Sequence, residues 1–290
     1  MSRPNYTILQ DRGVLRITGD DARDFLQGLI SNDIRRVQPD RAIFSALLTP
    51  QGKYLFDFFI AERDSVLLLE TERARIDTLI KRLTLYKLRA KAELTDVSDD
   101  WRVVALWGEG ALETLNLPEA GAAREYGNGI AFADPRLQTA GLRLLLAPGD
   151  PLPDGEDAGM DAYDAHRLAL GLPDGSRDLT AEKSILLESG FDELHGIDWN
   201  KGCYMGQELT ARTKYRGLVK KRLVPVSIEG PLPEPGTEII AEGKSVGEIR
   251  SGRDRLALAL IRLEALNEPG AQLRAGDASV TPRRPDWAEF

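Results

Sequence analysis

Cysteine is almost missing from this sequence: Cys203 is the only one in 290 residues, and histidine occurs twice. A single thiol excludes an internal disulfide, and one thiol with two imidazoles argues against a closed four-ligand zinc site. Long apolar runs are missing too. No stretch approaches the roughly 18 residues of a membrane helix, which predicts a soluble protein with no membrane partner. The opening residues MSRPNYTILQ show neither the apolar core of a signal peptide nor an Arg/Ser-rich transit pattern. With the lone thiol, this predicts a cytoplasmic location. Positive charge is also in deficit. The 38 Lys plus Arg against 46 Asp plus Glu leave a net charge of −8, so no strong nucleic-acid binding is expected.

What is present is an ordinary globular balance, 42% hydrophobic and 29% charged, which excludes a largely disordered chain. Residues 14–18 read as a strand, and Gly19-Asp20-Asp21 offers a cap for a helix carrying Phe25, Leu26, Leu29 and Ile30. Strands are predicted at 42–48 and 54–60, joined by Thr49-Pro50-Gln51-Gly52-Lys53, and at 66–70. An amphipathic helix follows at 75–88. Strands at 101–107, 130–132 and 142–146 and a short helix at 111–117 continue the mixed pattern. The Pro/Gly run 148–155 reads as the clearest internal boundary. A helix at 160–170 ends at Gly171-Leu172-Pro173, and 174–202 has little periodicity; long loops of that kind are often functional. Beyond Lys221, strand patterns at 223–228, 238–240, 245–250 and 256–263 predict a small barrel. The expected division is a mixed α+β body over 1–218 and a barrel over 219–290.

The chemistry concentrates in Lys201-Gly202-Cys203-Tyr204-Met205-Gly206-Gln207-Glu208. The thiol lies between glycines, two positions after Lys201 and just before a predicted helix in which Glu208 and Arg212 form an i, i+4 pair. A helix start and a nearby lysine are surroundings in which cysteines become reactive. A buried, inert cysteine is the alternative. A Cys–His nucleophile would need His195 or His166 in reach, and one thiol is too few for a cluster of its own. Trp101 to Gly110 imitates a dinucleotide fingerprint, but Glu113 stands where the third glycine belongs. Asp57 lies within an apolar strand, either buried with a partner or turned to water. Lys214, Arg216, Lys220, Lys221 and Arg222 form the strongest basic cluster.

The octapeptide, completed by Arg212, resembles the signature K-G-C-[FY]-x-G-Q-E-x-x-x-R of the YgfZ-type folate-binding proteins. These are relatives of the glycine cleavage T-protein, an aminomethyltransferase. Residues 25–33, 48–53 and 167–173 are similar to further stretches of that family, so the likeness spans nearly the whole chain. It implies an α+β fold of two interlaced ferredoxin-like subdomains around a central hole, plus a C-terminal β-barrel. It also implies a folate-binding accessory protein acting with tetrahydrofolate or another reduced folate in iron–sulfur cluster assembly or repair. Its partners would be iron–sulfur client or assembly proteins, tRNA-modifying radical enzymes among the clients. Cys203 would be the functional thiol, with Lys201 and Asp57 as further catalytic candidates. Glu188, Gln207, Glu208, Arg212 and Tyr204 would contact folate, and Arg212, Lys214 and Arg216 would meet its carboxylate tail. The alternative is a tetrahydrofolate-dependent aminomethyltransferase. Against it, the T-protein carries two adjacent aspartates where this chain has Phe56 and Asp57.

Overall fold

The computed structural model describes residues 3–268 and 270–290; Met1, Ser2 and Pro269, inside the expected domain ranges, lie outside the described residues. The chain divides into two compact units. One takes in the chain through Leu48, Leu55–Tyr163 and Leu194–Met205; the other takes in Thr49–Tyr54, Asp164–Glu193 and Gly206–Phe290.

The first unit holds two sheets. In the five-stranded sheet the order is Ile43–Leu48, Tyr54–Arg63, Val66–Glu72, Arg12–Thr18, Glu93–Asp96. Ile43–Leu48 is buried at every position and Tyr54–Arg63 at its first eight, so neither strand shows the alternation of a half-exposed sheet. Helix Ile76–Lys87 buries Ile76, Leu79 and Leu83 at i, i+3 and i+7 spacing and joins the same core as Leu15, Ile17 and Leu69. The six-stranded sheet runs Glu156–Asp157, Asn5–Ile8, Arg102–Trp107, Leu142–Leu146, Gly129–Ala133, Ala123–Tyr126. The Pro/Gly run at 148–155 is not a boundary. Asp150 accepts hydrogen bonds from the Ala147 and Asn128 amides, and Glu156 N donates to Pro4 O, so the run is pinned within this unit. Arg143 on the six-stranded sheet reaches Glu70 on the five-stranded one at 2.8 Å, and Arg12 meets the same oxygen at 2.7 Å. Asp134 pairs with Arg136 at 2.8 Å.

The barrel dominates the second unit. Its closed order is Lys221–Glu229, Leu256–Arg262, Lys244–Arg253, Glu238–Ala241, Leu273–Ala275, Ala278–Pro282. Val224, Val226 and Ile228 alternate into its core with Ile239, Ile249 and Ile261. The last two strands, absent from the sequence pattern, are the ones that close it. Arg167 fastens the helical segments to the barrel: its guanidinium meets Asp164 at 2.6 Å, Asp178 at 2.7 Å and Ser251 Oγ at 2.9 Å, all buried. Arg177 and Arg253 add ion pairs to Asp164 at 3.0 and 3.1 Å.

Two outcomes follow from these buried charges. Removing Arg167 as Arg167→Met takes the ion-pair partner from buried Asp178 and one of three from Asp164, so urea denaturation should show a loss of about 3–5 kcal/mol; a loss under about 1 kcal/mol, as for a surface pair, would contradict the assignment. Burial pushes the pKa of Asp134 up, but Arg136 and Arg143 more than reverse it; for Asp164, Arg167 and Arg177 do the same. Both carboxylates therefore sit below their ordinary value. Their contribution is present above about pH 4 and is lost as pH falls through the lowered pKa. Asp134→Asn should flatten the acid limb of stability against pH.

Candidate functional site

The segment carrying the octapeptide is fixed by the end of helix Ala22–Gln27. The last carbonyls of a helix have no intrahelical donor, and here Lys201 supplies one. Its ammonium donates to Gln27 O at 2.7 Å and Ile30 O at 2.5 Å, and the Tyr204 ring lies 5.0 Å away. Lys201 is 5% exposed, and burial pulls its pKa down to about 8 while Asp33 and Asp198 oppose the shift. Lys201 thus locks its segment to the end of that helix. Met205 N donates to Gly28 O at 3.1 Å, a second attachment to the same turn. Between them Cys203 is exposed, not sealed in a core, and Tyr204 is buried. Among the described residues no hydrogen bond joins Cys203 to His195, which is itself exposed with a left-handed φ of 58°. Nor do three or more His, Cys, Asp or Glu side chains of the described residues converge as a metal site.

The helix after this segment, Gln207–Tyr215, starts at Gly206 with φ 81° and stops before Gly217 with φ 60°. Gly52 approaches its start so closely that an added Cβ would lie 3.0 Å from Gly206 O, which explains the glycine of the 49–53 turn. Gln207 is half-buried. Glu208 and Arg212 are exposed and pair with each other at 3.0 Å. Lys214 lies 3.7 Å from Asp192, and Arg216 is exposed. The helix thus displays these charges on its surface.

Glu188 has a different setting. It lies in the short turn Leu186–Ser189, half-buried, and among the described residues no hydrogen bond or ion pair reaches its carboxylate. Burial raises its pKa, and Lys221, Lys53, Arg222 and Arg250 partly offset the rise. Arg222 is held by Leu187 O at 2.7 Å and Glu193 at 2.8 Å, and Arg250 by Thr180 Oγ1 at 2.9 Å. The Trp287 ring packs on Gly190, leaving no room for a Cβ there, and its indole donates to Leu170 O at 2.8 Å. Glu188 thus shares a compact unit with the barrel. Lys53, Lys221 and Arg250 were not singled out as its neighbours, because they are remote in sequence.

Asp57 is buried, 4% exposed, which settles its orientation. It adds to the field that keeps the Arg136 guanidinium charged, and Arg136 stacks over Phe44 and Phe59 at 5.2 and 4.9 Å. Phe56 beside it is buried under Arg75 at 4.4 Å.

Comparisons with known proteins agree with this architecture. Residues 10–120 match the GCVT N-terminal domain, and residues 220–290 match the CAF17 C-terminal beta-barrel domain. The chain superposes on the glycine cleavage system aminomethyltransferase T of Bartonella henselae with a TM-score of 0.76 at 14% identity. That match covers 99% of this chain and 87% of the other, and it shows the fold. The iron-sulfur cluster assembly factor IBA57, mitochondrial, of Mus musculus is 33% identical, over 96% of this chain and 84% of its own. The Homo sapiens protein is 34% identical over the same shares. The Mycosarcoma maydis homolog is 31% identical over 87% of this chain and 72% of its own. These relatives are named as mitochondrial, which overturns the expected cytoplasmic location; a lone thiol signals a reducing compartment without saying which one. With a GCVT-type N-terminal domain and a CAF17-type barrel in one chain, and this identity along nearly all of it, the protein belongs to the IBA57-type family of iron–sulfur cluster assembly factors.

Proposed function

We propose that this chain assists assembly or repair of iron–sulfur clusters in client enzymes, tRNA-modifying radical enzymes among them, in the manner of the YgfZ-type folate-binding proteins. Cys203 is the working thiol, and Glu188 receives a reduced folate. The observation that carries the reading is Glu188: a half-buried carboxylate with no hydrogen-bond or ion-pair partner among the described residues, in the field of four cations. An ionised carboxylate accepts two hydrogen bonds from adjacent N–H groups, as a pterin presents them. Lys53 and Lys221, which no ion pair among the described residues engages, favour the ionised, accepting form of that carboxylate. The residues therefore fit the group. A reduced folate, when bound, supplies an amine that takes up a one-carbon unit. Glu188 orients the ring, Arg212, Lys214 and Arg216 meet the tail, and the exposed Cys203 meets the partner protein. Aminomethyl transfer is not favoured, because Asp57 is buried near Arg136 with Phe56 in place of a second acid.

Anaerobic calorimetry with tetrahydrofolate should show binding that Glu188→Ala weakens roughly ten- to a hundredfold, the worth of a charged hydrogen bond at about 1.5–3 kcal/mol. Because burial raises the pKa of Glu188, wild-type binding should weaken on acidification sooner than an ordinary carboxylate would dictate, and Glu188→Gln should lose that dependence. Absence of tetrahydrofolate binding to the wild type contradicts the folate reading. In a deletion strain, Cys203→Ala should fail to restore iron–sulfur enzyme activities while glycine cleavage stays unchanged. Full restoration by Cys203→Ala would show that the thiol is not the working group.

A further inference from the structure

We propose that Gln27 is a positioning residue for the Cys203 thiol, acting through the backbone of Lys201. This deepens the reading of Cys203 given above and rests on it. Gln27 ends helix Ala22–Gln27 and uses both ends of its side-chain amide. Oε1 accepts from Ile34 N at 3.0 Å, and Nε2 donates to Lys201 O at 3.1 Å. Its own carbonyl takes the Lys201 ammonium at 2.7 Å. Arg35 adds a longer bond to Lys201 O at 3.3 Å.

The consequence is geometric. Lys201 is held by Gln27, and Met205 N is held by Gly28 O at 3.1 Å. Extended, the four residue steps from 201 to 205 would span roughly 13 Å. The two ends of that stretch are held by the consecutive residues Gln27 and Gly28, and the left-handed φ of Gly202 bends the three residues between them into an arch. Gly202 takes φ +94° in open space, and Tyr204 turns inward over the Lys201 ammonium. Cys203 is left at the exposed middle of the arch. A side chain that holds one foot of the arch therefore fixes where the thiol is presented, without touching it.

The two ends of the amide can be separated by mutation. Gln27→Glu keeps the acceptor for Ile34 N and removes the donor to Lys201 O; Gln27→Leu removes both. The single cysteine permits a site-specific trifluoroacetonyl label, read by fluorine NMR on the full chain, with thermal melting recorded for each variant. The wild type should give one sharp resonance. Gln27→Glu should melt like the wild type yet show a broadened or divided resonance, while the control Lys244→Ala, at an exposed barrel position, keeps the sharp line. The proposal is overturned if Gln27→Glu retains the wild-type resonance, if only Gln27→Leu changes it, or if Gln27→Glu unfolds the chain. The resonance reports position whether or not Cys203→Ala restores iron–sulfur enzymes, so the two readings fail separately.

Discussion

A buried ammonium must be hydrogen-bonded, and Lys201 has two carbonyls as its partners. That requirement joins stretches of chain 171 and 174 residues apart. The helix end needs donors and the ammonium needs acceptors, so each meets the other's need inside the first unit. Replacing the lysine with an apolar side chain would leave two carbonyls short of a donor, at about 1–3 kcal/mol each. The exposed thiol is a by-product of this lock: residues 201 and 205 are held, Tyr204 is drawn inward, and Cys203 has only the solvent side left.

The same logic organises the two units internally. In the first, Glu70 sits between Arg12 and Arg143 and draws the two sheets together. In the second, Arg167 joins Asp164 and Asp178 to Ser251 on the barrel. Buried ion pairs of this kind add little net stability over well-packed apolar residues, but a wrong arrangement leaves a bare charge in a dry interior. Glu188 stands apart from these networks, because its carboxylate has cations nearby and no partner among the described residues. That contrast separates a group holding the fold from one available to a ligand.

Much of the fold was legible because local pattern and tertiary role agree. The shift to strand patterning at Lys221 marks the first barrel strand, and helix Ile76–Lys87 carries its buried residues at helical spacing. The closing strands Leu273–Ala275 and Ala278–Pro282 were not legible: they are short and rich in small residues, and closure rather than periodicity defines them. The Pro/Gly run at 148–155 misled because turn residues mark a change of direction whether or not a domain ends there. At the site, the octapeptide drew attention to Cys203, but the work of Lys201 was hidden, since its acceptors are main-chain atoms from the start of the chain. The cations near Glu188 come from the 49–53 turn and from two barrel strands, a convergence that only the fold produces.

Lys201 fixes the arch from its feet. The most direct measurement is amide hydrogen exchange over 202–205 in the wild type and in Lys201→Met. Met205 lies outside any helix or strand, yet its amide is bonded to Gly28 O. It should be protected in the wild type, and Lys201→Met should abolish that protection while barrel amides keep theirs. A Met205 amide that exchanges freely in the wild type, or stays protected without the lysine, would contradict the account.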